Sequence, residues 1–128
     1  MPMYTWGRLR LGLPAFALAL GLAGSLASPF PIGTYDSDAY TLTFDSTGVF
    51  RYLKGDHLMV QGEYVVHDST MSLTDEKGVD ACVGAGRNTG TYRWKLVGNA
   101  LWFHSTHDPC AARIQGLAEQ AWQPHRAR

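Results

Sequence analysis

The sequence predicts an all-β protein, namely a small antiparallel up-and-down β-barrel of about eight strands with one short C-terminal helix. Apolar and polar residues alternate with a period of two through most of the chain, which is typical of half-buried strands. Turn residues at 45–48 and 98–99 separate such runs at hairpin spacing. Closing the sheet into a barrel removes its exposed edges, and an open sandwich is the alternative.

Residues 1–27 have the order of segments found in a secretory signal peptide. Arg8 and Arg10 precede the apolar run 11–23, and small residues follow, which predicts cleavage after Ala27. An uncleaved membrane anchor is the alternative, but the run is shorter than the ~20 residues that span a bilayer. We therefore expect a single secreted or periplasmic domain, residues 28–128, with no stable membrane insertion after cleavage.

The chain has two cysteines, Cys82 and Cys110, and both lie in the predicted exported part. An oxidising compartment and an even count favour one disulfide between them. Such a bridge contributes about 3 kcal/mol or a little more in the chain-entropy model. A pair of metal-binding thiols is the alternative, but no CxxC spacing supports it.

The first half of the domain predicts an extended lead-in followed by hairpins. Two prolines mark residues 28–33 as the lead-in. Alternating residues at 40–44 and 49–53 predict the first hairpin. A longer strand is expected at 57–67, with a bulge or bend at Gly62.

The second half predicts shorter strands and one exposed loop. We expect a short strand at 71–73, a turn at 75–78, another strand at 79–83, and an exposed Gly-rich loop, a possible lid, at 84–90. A hairpin over 92–104 follows.

One segment, residues 109–120, has apolar residues at helical spacing. Asp108 is expected to be its N-cap, with Pro109 at the first helical position. Trp122 then packs on the barrel or begins a final short strand.

Two short motifs suggest a family. Gly33-x-Tyr35 lies on the first strand, and Cys110-x-x-Arg113 lies near the end of the run of hairpins. Over residues 32–122 the chain resembles the small bacterial lipocalin-like barrels of the calycin type. Lipocalins usually carry Gly-x-Trp on the first strand, and a late Arg or Lys stacks across that Trp and closes the barrel. The resemblance implies that Tyr35 and Arg113 close this barrel.

The same resemblance implies a function, because lipocalin-like barrels hold a small apolar molecule in the interior. An eight-stranded barrel is wide enough to be filled by its own side chains or to hold one small ligand. The aromatic residues expected to face the ligand are Tyr35, Tyr40, Phe44, Tyr64, Tyr92, Trp94 and Phe103. The alternative is a solid barrel that acts through its surface as a protein-binding module or protease inhibitor, with no partner identified.

Nucleic-acid binding and catalysis have little support in the sequence. Lys and Arg together number 11, equal to Asp and Glu, so no basic footprint for phosphates is evident. We find no G-x-S-x-G elbow and no thiol left free by the predicted disulfide, and we expect neither an enzyme nor a cofactor.

Two clusters of titratable residues could be taken for functional sites, but we prefer a structural explanation for each. His104, His107 and Asp108 are the nearest approach to a metal site, but a half-exposed strand residue and an N-cap turn explain them as well. The carboxylate pair Asp75-Glu76, like Asp36 and Asp38, falls in turn signals and is expected to be solvated.

Overall fold

The computed structural model describes residues 29–126, and the predicted signal peptide, residues 1–27, lies outside this part of the chain. The described residues form an all-β barrel with one short helix, which confirms the expected fold class. The elements in chain order are β1 (Gly33–Ser37), β2 (Tyr40–Phe44), β3 (Val49–Lys54), β4 (His57–His67), β5 (Thr70–Lys77), β6 (Thr89–Val97), β7 (Ala100–His107), α1 (Ala111–Leu117) and β8 (Gln123–Pro124).

Each strand from β1 to β7 pairs antiparallel with its neighbour in sequence, in an up-and-down order that β8 extends beyond β1. β8 pairs with β1 at Tyr35 and Asp36. Just before β8, Trp122 exchanges two backbone hydrogen bonds of 2.9 Å with Leu101 of β7. The C-terminal segment therefore bridges β1 and β7 and nearly closes the barrel.

The strands alternate as the sequence predicts, with one face directed into the barrel. On β2 the side chains of Leu42 and Phe44 are buried, and on β5 those of Met71 and Leu73 are buried. Burial of an aliphatic or aromatic side chain of this size stabilises the fold by about 1.5–3 kcal/mol relative to exposure. The expected bulge on β4 is present, because its pairing with β5 shifts between Gln61 and Gly62.

An aromatic cluster fills the end of the barrel where β1 begins and β2 ends. Phe30 of the lead-in packs edge-to-face on Phe44 and on Trp94, with ring centroids 5.0 and 5.2 Å apart. Tyr64 also packs edge-to-face on Phe44 and lies next to Phe30. Edge-to-face pairs of this kind are favoured by the ring quadrupole. Aromatic side chains therefore fill the barrel interior at this end.

Two predictions about the region after β5 are wrong. The predicted turn at 75–78 is instead the end of β5, which continues to Lys77. The strand ends before Gly78, whose φ of 125° favours glycine and whose missing side chain lets the Met59 carbonyl approach.

The predicted strand at 79–83 is irregular, and β6 begins at Thr89. The N–H of Cys82 binds the Asp75 side chain, and the N–H of Asp80 binds the Met59 carbonyl. These hydrogen bonds hold the chain across the barrel end. We call residues 78–88 the 78–88 segment.

The helix is shorter than predicted and begins later. It starts at Ala111, and its N-cap is Cys110 where we expected Asp108. The Asp108 side chain accepts a hydrogen bond from the Cys110 N–H, but it also binds Arg113. Asp108 thus forms the turn before the helix. No helix within residues 29–126 is long and apolar enough to cross a membrane.

Candidate functional site

A pocket of about 470 Å³ opens at the barrel end beneath α1. Tyr40 at the start of β2 and Tyr52 near the end of β3 form part of its rim, and α1 borders it on one side. The strands contribute apolar and aromatic side chains and one carboxylate, and two further carboxylates come from the segments between strands. α1 with the residues after it contributes small, amide and apolar side chains and one guanidinium. The lining residues are Asp38, Tyr40, Leu42, Phe50, Tyr52, Val60, Leu73, Asp75, Asp80, Ala112, Arg113, Gln115, Gly116, Leu117 and Gln120.

Arg113 organises a buried cluster of charges on one wall of this pocket. Its Nε and Nη2 bind the two carboxylate oxygens of Asp108 at 2.7 and 2.6 Å. Its Nη1 lies 3.1 Å from Asp75 Oδ2. Its side chain is only 6% exposed, and both carboxylates are more deeply buried. Bidentate pairing of this kind matches the planar geometry of guanidinium and carboxylate.

Two backbone carbonyls complete the coordination of Arg113. Its Nη1 donates to the carbonyl of Asn88, and its Nη2 donates to the carbonyl of Arg87, each at 3.1 Å. Arg113 therefore connects α1 to the 78–88 segment. Burial alone would lower the pKa of Arg113, but Asp108 and Asp75 outweigh that effect and raise it.

Asp108 is a fully paired carboxylate. Burial acts to raise its pKa, but hydrogen bonds from Arg113, Tyr92 and the Cys110 N–H outweigh burial and lower it. The Tyr92 hydroxyl donates to Asp108 Oδ2, and burial followed by this hydrogen bond raises the pKa of Tyr92. Gly90 leaves the space for this carboxylate, because a Cβ at Gly90 would lie 2.2 Å from Asp108 Oδ2.

Asp75 is only partly paired. Its Oδ2 accepts the Cys82 N–H at 2.9 Å in addition to the contact with Arg113. Its Oδ1 is buried and has no hydrogen-bond partner within residues 29–126. Burial raises the pKa of Asp75, although the Cys82 N–H and Arg113 act against the shift. A carboxyl group with a raised pKa that borders a pocket marks a candidate functional site.

Asp75 faces the interior because of its place on β5. Met71, Leu73 and Asp75 follow one another at intervals of two residues, and all three are buried. Alternate residues of a strand share one face. Leu73 and Asp75 both line the pocket, so the acidic side chain continues an otherwise apolar row.

The outer rim of the pocket is aromatic and acidic. Tyr40 and Tyr52 stack face to face, with ring centroids 4.9 Å apart, and Lys54 Nζ lies 5.8 Å from the Tyr40 ring centroid. Burial raises the pKa of Tyr52 to about 12, with further contributions from Tyr40 and from the carboxylate of Asp80. Burial first, and these neighbouring groups second, therefore disfavour the phenolate form of Tyr52.

The disulfide between Cys82 and Cys110 holds the pocket wall in place. Cys110 is the N-cap of α1, and its Sγ accepts a hydrogen bond from the Arg113 N–H. Cys82 lies in the 78–88 segment and binds Asp75 through its N–H. The predicted pairing of the two cysteines is present, and it ties together the elements that carry the charged cluster.

The seven aromatic residues predicted to face a ligand occupy different places. Tyr40 lines the pocket. Tyr64 and Trp94 belong to the aromatic cluster at the opposite end, where the hydroxyl of Tyr64 donates to the Asp45 carbonyl and the indole of Trp94 donates to the Asp68 carbonyl. Phe44 belongs to the same cluster, and the other three are buried in the core: Tyr35, Tyr92 and Phe103.

The stacking of Arg113 on Tyr35 that the resemblance implies is replaced by other contacts. Arg113 binds two carboxylates, which attract a guanidinium more strongly than a ring face does. The Tyr35 hydroxyl donates to the Pro31 carbonyl at 2.6 Å. Among the described residues, the cation–ring contact present is that of Lys54 with Tyr40.

Among the titratable residues singled out in the sequence, His104, Asp75 and Asp108 have defined partners. His104 Nδ1 lies 2.5 Å from Glu119 Oε1, while Asp108 is held in the buried cluster. Residues 29–126 contain no group of three or more His, Cys, Asp or Glu side chains placed to hold a metal ion. The expectation of a solvated turn for Asp75 is wrong, because this side chain is buried and bridged to Arg113.

Sequence reasoning therefore missed Asp75 as a site residue. A signal for it existed, since the period-two row Met71, Leu73 continues to position 75. The turn-like composition of 75–78 concealed that signal. The apolar wall formed by Leu42, Phe50 and Leu117 was also missed, because it depends on how α1 docks on the barrel.

The chain was compared with known proteins, and it matches no family model, no curated protein and no solved structure. We therefore argue its function from the geometry of the pocket.

Proposed function

We propose that this protein is an exported lipocalin-like binding protein, without catalytic activity, that holds a small molecule in the pocket beneath α1. The observation that carries the proposal is the pocket itself, whose volume of about 470 Å³ lies within the range of small-molecule sites. A disulfide supports export, because such bonds persist in oxidising compartments.

The arrangement of the lining supports binding of a molecule with an apolar body. Leu42, Phe50 and Leu73 are buried and form the inner wall, and Leu117 of α1 closes it from above. Small-molecule sites are commonly apolar with a few placed polar groups. Asp75 and Arg113 are the polar groups that this pocket fixes in position.

The first experiment is native mass spectrometry of the protein purified from the cells that produce it. We expect a reproducible extra mass that is lost on denaturation. A parallel titration with Nile red, an apolar dye whose fluorescence rises in apolar surroundings, tests whether the ligand-free pocket binds an apolar molecule. A bare native mass together with an unchanged dye signal would refute the proposal.

Two tryptophan substitutions locate the binding. Ala112 of α1 is exposed and lines the pocket. Its neighbour Ala111 is also exposed but is not part of the lining. Ala112→Trp should occlude the opening and abolish the extra mass and the dye signal. Ala111→Trp, the matched control, should leave both intact. Equal loss in the two variants would place the ligand elsewhere.

A second function, binding of a protein through the barrel surface, has one observation in its favour. Val79 and Val83 are 79% and 64% exposed on the 78–88 segment at the pocket end. Apolar side chains clustered on an exposed segment are a feature of interaction sites. A protease inhibitor of this kind should inhibit trypsin or subtilisin stoichiometrically and lose inhibition in Val83→Ser. If neither protease is inhibited, this inhibitor model is refuted.

A further inference from the structure

The pocket has one polar atom for which the described residues supply no partner. Asp75 Oδ1 is buried and accepts no hydrogen bond there, while Oδ2 of the same carboxylate is satisfied by Cys82 and Arg113. An unpaired buried acceptor destabilises a fold, so such atoms are rare in proteins. Asp75 also borders the pocket, so a bound molecule that reaches this carboxylate can supply the donor that the described residues do not.

The charges around the pocket indicate which donor fits. Three carboxylates line it, those of Asp38, Asp75 and Asp80, against one guanidinium. That guanidinium is already bound by Asp108 and Asp75. Lys54 lies outside the lining, near the Tyr40 ring. The uncompensated charge of the pocket is therefore negative, which favours a cation over an anion.

The rim adds a second preference for a cation. The stacked rings of Tyr40 and Tyr52 stand at the opening, and Lys54 Nζ already lies over the Tyr40 ring, so an amine that enters here meets rings that attract ammonium groups and competes with Lys54 for them. Asp80 also lines the pocket, and its negative charge acts in the same direction.

We infer that the ligand of this pocket is an organic amine, whose ammonium group donates to Asp75 Oδ1 while its apolar body packs on Leu42, Phe50 and Leu117. This inference rests on the proposed function and narrows it to one chemical class. It also accounts for Asp75, a buried acid in an apolar row, because the ammonium group supplies the missing hydrogen bond and the missing positive charge.

The test compares three probes of one shape and different charge: phenethylamine, phenethyl alcohol and hydrocinnamate. Affinities are measured by isothermal titration calorimetry at neutral pH, and amide chemical shifts show where each probe binds. We expect the amine to bind at least about tenfold more tightly than the alcohol, with hydrocinnamate weakest. Shifts should concentrate at Ala112, Gly116 and Leu117.

Asp75→Asn is the decisive variant. Its carbonyl oxygen can keep the hydrogen bonds from Cys82 and Arg113, and its NH₂ then stands where Oδ1 was. The variant replaces an acceptor by a donor, so it should lose the preference for the amine and favour hydrocinnamate. Glu76→Gln removes the same charge from the next residue, which is exposed, and should leave the preference unchanged.

Asp80→Asn provides the test if Asp75→Asn does not fold. Asp80 is exposed and lines the pocket, so its loss should weaken amine binding severalfold and leave alcohol binding unchanged. Unchanged amine binding in Asp80→Asn, or in Asp75→Asn where that variant folds, would overturn the inference.

The outcomes separate the inference from the proposed function. Probes that bind equally well, or a preference for hydrocinnamate, with binding blocked by Ala112→Trp, would overturn the amine and leave the binding pocket in place. A co-purified molecule without an amine would do the same. If no probe binds and the native mass is bare, both proposals are refuted.

Discussion

Arg113→Ala should destabilise the protein more than any surface substitution, because it leaves two buried carboxylates without their cation. The side chain makes a bidentate contact with Asp108, one contact with Asp75, and two hydrogen bonds to backbone carbonyls. Removing one partner of a buried ion pair costs about 3–5 kcal/mol.

The structure places the expected loss at the lower end of that range. Asp108 keeps the Tyr92 hydroxyl and the Cys110 N–H as donors, and Asp75 keeps the Cys82 N–H. We therefore expect a loss of about 3 kcal/mol in the free energy of unfolding. For a domain of this size that loss lowers the melting temperature by at least about 12 °C.

The assay is urea unfolding followed by tryptophan fluorescence, with thermal unfolding by circular dichroism as a second measurement. Arg87→Ala is the matched control, because Arg87 binds the cluster only through its backbone carbonyl. Combining Arg113→Ala with Asp108→Asn should recover at least about 1 kcal/mol of the lost stability, since it removes one of the two buried carboxylate charges that no longer have a cation. A loss below about 1 kcal/mol, or one equal to the control, would refute the role assigned to the cluster.

Three further predictions concern the same region. Gly90→Ala should destabilise the fold by about 2 kcal/mol or more, because its Cβ overlaps a buried carboxylate, whereas Gly84→Ala, with open space around its Cβ, should change the melting temperature little. Burial raises the pKa of Asp75 above its ordinary value of 3.8, so the folded state holds this proton more tightly than the unfolded state. The stability of the wild type relative to Asp75→Asn should therefore fall as pH rises from about 4 through the folded pKa. The measurement is the melting temperature of both proteins between about pH 4 and pH 8, and a difference between them that does not change with pH would contradict this. Reduction of the Cys82–Cys110 bridge should lower stability by about 3 kcal/mol and weaken Nile red binding, and reduced protein with unchanged unfolding would contradict the first expectation.

The strands were predictable where local pattern and tertiary environment agree. Residues 40–53 carry alternating residues on both sides of a turn, and the structure forms β2 and β3 there. The bulge at Gly62 was predictable for a similar reason, since a glycine in the middle of a long strand marks such a site.

The site was less predictable, because its contacts join residues distant in sequence. Asp75 stands in a run of turn-forming residues, and it is the ion pair with Arg113 of α1 that offsets the cost of burying its charge. Asp108 was expected to cap the helix, but its carboxylate is shared among Arg113, Tyr92 and Cys110. The pocket depends on the docking of α1, which no local pattern describes.

The closure of the barrel by its last residues has a consequence for biosynthesis. A chain that stops before Trp122 already contains β1 to β7, yet the segment that bridges β7 and β1 is missing from it. Both outer strands then present unpaired backbone groups, which are templates for aggregation. Closure of the barrel during synthesis therefore waits until the segment that contains Trp122 and β8 has been made and has paired with β7 and β1.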